Sequence, residues 1–466
     1  MEYMQGNRGT IEIKGLSNNG EGIGLIEGRK VFVPGSVTGD VVDIRLVTVK
    51  KEYGVAKPLK VLESSPYFIK PVCIVADKCG GCQWLHVKYD YQLQEKKEQV
   101  LQTLKETGGF ENPPLEDILP SPEVVGYRNK STCPFEFSSD GKVRSGFYRK
   151  GSHRIVNINQ CPVQDSRLDP LLKKIKEDII LRGWSIYDEK KCTGEIRNLS
   201  LRIGKNTGGI LITLISASEN LTALDDQSKA WMKEFPNVRG VCLNINPTKG
   251  NVNMGKETRC IAGEPFIKER FMNLDLIVGS STFFQVNTKA AELLYQYIEK
   301  ELMLSGKEKV LDLYCGIGTF TLPIAQQVRE VIGIENHSDS VKLAQKNAEN
   351  NAIKNVRFLS GNVENIFDKE NFTPDIILLD PPRRGNSKAV LKNLRDIKAK
   401  KIVYVSCNPV SLARDLKVLC DGGLYFLKKV KPVDFFPQTS HIETIVFLER
   451  GNDEVSEAKE VKNHSV

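Results

Sequence analysis

The chain has 466 residues, of which 40% are hydrophobic and 27% are charged. A chain of this length exceeds what one hydrophobic core usually supports, so we expect two or three domains. The composition is that of a soluble globular protein, and no apolar run is long enough to cross a bilayer, which argues against a membrane protein.

The charge and the cysteine content narrow the class further. The net charge of +8 permits a nucleic acid partner without requiring one. Eleven cysteines, scattered except for one tight group, favour thiols used in metal binding or catalysis over a disulfide framework. Residues 1–14 lack the apolar segment of a secretory signal. We therefore expect a cytoplasmic protein, which we expect to act as a monomer.

The first region in chain order, residues 1–62, has the pattern of a small β-barrel of the OB-like kind. Short alternating stretches at residues 10–14, 30–34 and 40–46 are separated by Gly, Ser and Asn turns. Residues 1–60 hold nine Lys/Arg against seven Asp/Glu, so composition gives only weak support for RNA binding by this region.

The second region, residues 63–280, is predicted to be a mixed α+β domain. A polar helix is expected over about residues 89–107, ended by Gly108 and Gly109. This helix is a candidate to dock on the C-terminal domain. Strand signals follow at residues 199–203 and 209–215.

The third region, residues 281–450, alternates helical patterns with continuous apolar strands. The strands are predicted at residues 309–314, 331–335, 374–380 and 401–406. Apolar strands spaced by helices predict a doubly wound, Rossmann-like α/β sheet that is covered on both faces. The polar tail at residues 451–466 is expected to be disordered.

The loop after the first of these strands has the features of a nucleotide site. Gly316 and Gly318 lead directly into a helix, as expected of a tight turn beneath a nucleotide-like ligand. Glu335 ends the next strand, where its carboxylate can accept hydrogen bonds from both ribose hydroxyls. A dinucleotide-dependent oxidoreductase is the alternative, but Thr321 stands where that fingerprint has its third glycine.

Three further residues are expected near this loop. Asp380 and Cys407 follow the next two apolar strands, and ligands of open α/β sheets bind at the carboxyl ends of strands. Gln285 precedes the first helix of the region, where an amide is common with or without a ligand. A lone cysteine is more often a buried hydrophobe than a nucleophile, so position alone distinguishes Cys407.

Two candidate bases precede a final strand at residues 445–448. Alternation predicts that His441 and Glu443 share one face of that strand. Either side chain can accept a proton in general base catalysis. Without Cys407 nearby, Glu443 would be interpreted as a carboxylate at the rim of a strand.

Together these motifs resemble the RNA 5-methyluridine methyltransferases, in particular the 23S rRNA (uracil-5-)-methyltransferase branch with a TRAM domain and a 4Fe–4S cluster. The likeness spans about residues 9–450. It implies S-adenosylmethionine (SAM) as the methyl donor, Cys407 in Ser-Cys-Asn-Pro as the nucleophile and Glu443 in His-x-Glu as the base. It also implies contacts to SAM from Gln285, Tyr314, Glu335 and Asp380.

The tight cysteine group is a candidate metal site. Cys73, Cys79 and Cys82 are separated by five and then two residues, and Cys161, which is followed by proline, is a plausible fourth ligand. Spacing leaves zinc and a 4Fe–4S cluster nearly balanced, with a redox Cys-x-x-Cys as a lesser alternative. The resemblance favours the cluster.

A basic and aromatic stretch predicts the RNA surface. Between Tyr127 and Arg154, seven Lys/Arg stand against two acids and are interleaved with aromatic residues, a mixture that suits RNA with splayed bases. A solvated strand face is equally compatible. The target carbon is stacked inside most RNA helices, so we expect base flipping or an unpaired uridine.

Several functions stay open at this point. The resemblance favours 23S rRNA as the partner over the T-loop uridine of tRNA. A SAM-dependent methyltransferase for another base position is a further alternative. An iron–sulfur RNA-binding protein without catalysis is the alternative from a different class.

Overall fold

A computed structural model of the chain describes residues 2–17, 19–138, 140–250, 254–366 and 372–451. Beyond residue 451, the tail that we expect to be disordered lies outside the described residues. None of the helices in the described ranges combines the length and the apolar character needed to cross a membrane.

Six short strands form the N-terminal sheet, in the order β1-β5-β6-β4-β3-β2. They are β1 (Arg8–Glu12), β2 (Gly15–Leu16), β3 (Gly22–Ile26), β4 (Arg29–Val33), β5 (Val41–Val49) and β6 (Tyr53–Glu63). Because β1 and β2 lie at opposite edges although only Ile13 and Lys14 separate them, the sheet must curl into a barrel. The predicted small barrel is therefore present, and the cysteine-containing segment and helix α1 (Tyr89–Glu106) follow it.

The central sheet has seven strands in the order β13-β12-β11-β10-β7-β8-β9. They are β7 (Lys130–Phe137), β8 (Val143–Tyr148), β9 (Ile155–Asn157), β10 (Ile196–Ile203), β11 (Ile210–Ser216), β12 (Val238–Ile245) and β13 (Glu257–Gly263). Helices α2 (Asp169–Arg182) and α3 (Leu224–Glu234) share one buried core with this sheet. Strands β11 and β12 are parallel, and the other neighbours are antiparallel.

A hairpin follows, formed by β14 (Phe266–Phe271) and β15 (Leu274–Gly279). Its apolar residues share a core with the C-terminal domain, and so do Val100 and Leu104 of α1. We propose that the C-terminal domain begins near Phe266 instead of residue 281, and that α1 docks on it.

The C-terminal sheet has seven strands in the order β18-β17-β16-β19-β20-β22-β21. They are β16 (Lys309–Leu313), β17 (Glu330–Glu335), β18 (Val356–Ser360), β19 (Ile376–Leu379), β20 (Lys401–Ser406), β21 (Tyr425–Val433) and β22 (Glu443–Arg450). The helices are α4 (Thr288–Leu302), α5 (Thr321–Ala325), α6 (Ser338–Asn350), α7 (Val363–Ile366), α8 (Lys388–Ile397) and α9 (Pro409–Cys420). The first five strands in this order are parallel, and β22 pairs antiparallel with both β20 and β21. This is the predicted α/β architecture.

Candidate active site

The parallel strands bring the predicted residues to one edge of the C-terminal sheet. Tyr314 follows β16, Glu335 is the last residue of β17, Asp380 follows β19 and Cys407 follows β20. The carboxyl ends of parallel strands meet at one edge, which in open α/β sheets is where ligands bind. These four residues therefore surround one site.

Glu443 reaches the same edge from the opposite direction. Strand β22 runs antiparallel to β20, and the register pairs Ser406 with Thr444, so Cys407 lies beside Glu443. Strand β22 begins at Glu443, and therefore the alternation does not extend to His441: the His441 side chain is exposed, whereas Glu443 is buried. The prediction that these two residues share a strand face was wrong, although both contact the same cavity.

A cavity of about 740 Å³ lies at this edge, within the size range of small-molecule sites. Its lining includes all six residues predicted for catalysis and cofactor binding, namely Gln285, Tyr314, Glu335, Asp380, Cys407 and Glu443. The structure thus brings together residues that are up to 158 positions apart in sequence, as Gln285 and Glu443 are.

The glycine loop and Glu335 form a polar corner of the cavity. Tyr314, Gly316 and Gly318 all have positive φ angles, of 69°, 56° and 86°, which turn the chain tightly after β16. The Gly316 N–H donates to Glu335 Oε2 at 3.1 Å and the His337 N–H donates to Oε1 at 2.8 Å. Each carboxylate oxygen keeps further accepting capacity, so Glu335 can receive two hydroxyl groups from a ligand.

Tyr314 is fixed by a residue that the sequence analysis missed. Its hydroxyl donates to Asn386 Oδ1 at 3.0 Å. The amide of Asn386 is in turn held by Tyr404 and Asp415 in a buried network. Asn386 lies six residues beyond Asp380 in a loop, where no local pattern marks it.

Gln285 connects the central domain to the catalytic edge. Its Nε2 donates to Asp380 Oδ2 at 3.1 Å, and its carbonyl oxygen accepts from Asn129 Nδ2 at 2.8 Å. Burial raises the pKa of Asp380 to about 7, and burial together with the charges of Asp380 and Glu335 raises the pKa of Asp312 to about 7. Buried carboxyl groups this close together favour a cationic ligand, because a cation relieves the cost of ionising them.

Cys407 and Glu443 share one electrostatic environment. Burial is the main cause that raises the pKa of Cys407 to about 11, the carboxylates of Glu443 and Asp380 add to it, and Arg383 opposes it. Burial and Asp380 also raise the pKa of Glu443, again opposed by Arg383. Both groups therefore hold their protons more tightly than usual.

Arg383 and Asn362 also line the cavity, and neither was predicted as a site residue. The Arg383 side chain is exposed, and the described residues offer it no hydrogen bond or ion pair. Its position in Asp-Pro-Pro-Arg, three residues after the motif aspartate, was the available signal. Asn362 follows β18, a strand that was not predicted.

The four predicted metal ligands surround a separate cavity of about 220 Å³. Cys73, Cys79, Cys82 and Cys161 all line it, and the Gly81 N–H donates to Cys79 Sγ at 3.4 Å. Within the described ranges, no three Cys, His, Asp or Glu side chains are arranged to hold a metal ion. The four cysteines thus line one common space.

The two cavities are neighbours. Gly81 and Arg128 line both the catalytic cavity and the cysteine cavity. The Trp84 N–H, two residues after Cys82, donates to the carbonyl of Gln438 at 3.0 Å. Gln438 precedes Thr439 and His441, which line the catalytic cavity, so the cysteine loop contacts a catalytic loop directly.

Comparisons with known proteins agree with this geometry. Residues 88–451 match the model of the family described as tRNA (uracil-5-)-methyltransferase, and residues 2–59 match the TRAM domain. An uncharacterized RNA methyltransferase of Nostoc sp. is 50% identical, covering 96% of this chain and 97% of that protein. One of Synechocystis sp. is also 50% identical, covering 97% of each.

A solved structure is similar over nearly the whole chain. It is the tRNA (uracil-54, C5)-methyltransferase of Pyrococcus abyssi in complex with S-adenosyl-L-homocysteine. The two chains are 30% identical with a TM-score of 0.76, and the match covers 95% of this chain and 99% of that one.

Proposed function

Because the chain belongs to the tRNA (uracil-5-)-methyltransferase family, we propose that it transfers a methyl group from SAM to carbon 5 of a uridine in RNA. The observation that carries this proposal is the register that places Cys407 beside Glu443 in one cavity with the glycine loop. A covalent methylation of uracil requires a thiol and a base side by side, whereas methylation of an exocyclic amine requires no thiol.

SAM supplies an electrophilic methyl group. Glu335 accepts its ribose hydroxyls with the oxygens that Gly316 and His337 already orient. Tyr314 and the Gln285–Asp380 pair complete the binding site, and the buried carboxyl groups favour the positive sulfonium. The 740 Å³ cavity has room for this ligand beside a flipped base.

Cys407 is the nucleophile. Carbon 5 of uracil is too weak a nucleophile to accept a methyl group unaided. When the Cys407 thiolate adds to carbon 6, the carbon 5–carbon 6 double bond opens and the ring becomes an enolate, which is nucleophilic at carbon 5. Because the thiol pKa is raised to about 11, a bound substrate and Arg383 must favour the thiolate for reaction at neutral pH.

Glu443 is the base. After methylation, carbon 5 carries both the methyl group and its original hydrogen. The Glu443 carboxylate takes that proton, the double bond re-forms and the Cys407 thiolate leaves. Oε2 of Glu443 is buried and has no hydrogen-bond partner in the described part of the chain, so this oxygen is free to accept the proton.

We also propose that Cys73, Cys79, Cys82 and Cys161 hold a 4Fe–4S cluster. Each thiolate of such a cluster binds a different iron, so its ligands surround a volume instead of one point. The 220 Å³ cavity with four thiols on its lining, and the N–H donor directed at Cys79, suit that arrangement. A zinc ion would need all four sulfurs about 2.3 Å from one centre. Iron and sulfide analysis of protein prepared without oxygen separates the two.

For the target RNA we propose 23S rRNA, on the motif resemblance. A tRNA T-loop uridine is the second candidate, favoured by the similarity to the uracil-54 enzyme of Pyrococcus abyssi. That similarity covers 95% of this chain and so extends into the barrel, which weakens the barrel as a discriminator between the two RNAs.

One experiment tests the reaction and the target together. The purified protein is incubated with methyl-labelled SAM and either 23S rRNA or tRNA transcripts, and each RNA is digested to nucleosides. We expect label in 5-methyluridine from the 23S rRNA transcript. Label in another nucleoside, such as 5-methylcytidine, contradicts the proposed reaction, and label only in tRNA contradicts the proposed target.

A further inference from the structure

A third cavity, which we call the barrel groove, lies between the N-terminal barrel and the cysteine loop. Its volume is about 680 Å³. Barrel residues 19–21 and 34–35 form one wall, Gly80, Gly81 and Gln83 form the floor, and residues 147–151 form the opposite wall. Four separate segments of the described chain therefore line the groove, and none of the roles proposed above uses it.

The floor of the groove is held rigidly to the wall. The Gly80 N–H donates to the Tyr148 carbonyl at 2.9 Å, and the Lys150 N–H donates to the Lys78 carbonyl at 3.1 Å. A Cβ atom on Gly80 would lie 2.9 Å from the Tyr148 oxygen, so a side chain there would push the two segments apart. The groove is thus preformed, and its floor allows close approach of a ligand to the backbone.

The wall carries the chemistry of a nucleotide site. The Tyr148 side chain is 48% exposed, and its ring meets that of His153 edge to face at 5.7 Å. Arg149 and Lys150 are exposed, and no described residue forms a hydrogen bond or ion pair with their side chains. Among the described residues that line the groove, Glu21 is the one acid. An exposed aromatic ring beside two free cations suits a base that stacks and a phosphate that is neutralised.

The groove adjoins the catalytic cavity, because Gly81 lines both. We propose that the barrel groove is a second nucleotide subsite. It holds an unpaired nucleotide that flanks the target uridine in the same RNA strand. Its base stacks on Tyr148, and Arg149 and Lys150 bind the adjoining phosphates. This inference rests on the proposed RNA methylation for the identity of the strand, but its test does not require turnover.

The test measures binding of a fluorescent oligouridylate of about eight nucleotides, within the span of single-strand sites, by anisotropy without SAM. We expect Tyr148→Ala to weaken binding about 5- to 150-fold, which corresponds to the 1–3 kcal/mol of one base–aromatic stack. Tyr148→Phe keeps the ring and should bind like the wild type. Phe426 is 50% exposed and lies near the start of β21, opposite Glu449 and so at the sheet edge away from Glu443. Phe426→Ala removes this exposed ring and should leave binding unchanged.

The phosphate contacts have their own signature. Replacing both Arg149 and Lys150 by Gln should weaken binding and lower the slope of log affinity against log salt by about 0.7 for each lost phosphate contact. A slope equal to that of the wild type overturns the assignment of these two cations.

A crosslinking experiment on the wild-type protein removes any dependence on how the variants fold. An oligouridylate with one 4-thiouridine is irradiated in complex with the protein, and the crosslinked peptide is identified. We expect crosslinks within residues 147–151 or on the barrel turn 19–21. Crosslinks confined to other surfaces, or Tyr148→Ala binding as tightly as the wild type, overturn the subsite. Because neither assay includes SAM, a failure here leaves the nucleoside analysis above unaffected, and the reverse also holds.

Discussion

The catalytic cavity and the cysteine cavity use the same side chain in different surroundings. Burial raises the pKa of both Cys407 and Cys82, to about 11 and about 12. Around Cys407 the other charges are the carboxyl groups of Glu443 and Asp380 and the guanidinium of Arg383. The largest charge effects on Cys82 come from other thiols, beginning with Cys161. The lesson is that neighbours, not the residue type, decide which chemistry a thiol performs.

The largest expected effect separates the two sites directly. Cys407→Ala should lower methyl transfer by about 10,000-fold or more, because a covalent route cannot proceed without its nucleophile. Its iron and sulfide content should equal that of the wild type. The matched variant Cys82→Ser should lose iron and sulfide instead. Labelled-methyl transfer and metal analysis on both proteins check this, and substantial methylation by Cys407→Ala would falsify the covalent route.

The next effect tests the partner of Cys407. Glu443→Gln should lower turnover about 100- to 10,000-fold, the range of a lost general base, and should accumulate a protein–RNA adduct. The adduct forms because the methylated intermediate cannot lose its proton and release the thiol. It is measured as a band that survives a denaturing gel. His441→Gln is the control and should neither trap an adduct nor lose most turnover; if it traps the adduct and Glu443→Gln does not, the base is His441.

Much of the catalytic half could be predicted because its signals are local. The strands that precede Tyr314, Asp380 and Cys407 are continuous apolar runs, and each predicted strand lies within three residues of the observed one. Strand β18 (Val356–Ser360) was missed since it lies at the sheet edge, where Arg357 is exposed and the apolar run is broken. Because this strand was not predicted, Asn362, the cavity residue that follows it, was not predicted either.

The residue pairs that connect the domains could not be predicted, because their members lie far apart in sequence. Gln92 donates to Gln438 Oε1 and accepts from the Gln438 N–H, across 346 positions. Lys96 is fully buried in an ion pair with Asp434, although the polar composition of its helix gives no sign of a buried charge. Nothing in the spacing of either residue marks a partner in the C-terminal domain.

That ion pair provides the third test, because it holds the loop that joins the two sites. Lys96 Nζ lies 2.6 Å from Asp434 Oδ1 with both side chains fully buried, and it also donates to the Phe436 carbonyl at 3.1 Å. Lys96→Met should lower the free energy of unfolding by about 3–5 kcal/mol, because it leaves a buried carboxylate without its cation. Urea denaturation measures the change.

The neighbouring residue is a matched control. Lys97 lies next to Lys96 on α1 and pairs with Asp117 at the same distance of 2.6 Å. In this pair, however, the Asp117 side chain is 93% exposed. Lys97→Met should therefore cost less than about 1 kcal/mol. Equal losses from the two variants would show that the buried pair contributes no more than a surface pair, and that the loop is held by other contacts.

The last test concerns what a buried carboxyl group of the cofactor site costs the fold. Because burial raises the pKa of Asp380 to about 7, the folded protein binds a proton more tightly than the unfolded chain does, so this residue lowers stability as pH rises from about 4 to 7. Asp380→Asn carries no charge and should melt at a higher temperature than the wild type at pH 8, without SAM. The difference should shrink as pH falls below 7 and vanish below about pH 3, where Asp380 is protonated in both states. A difference that does not vary with pH would mean that the gain comes from packing, and that Asp380 does not carry the buried charge on which the proposed attraction for a cationic methyl donor depends.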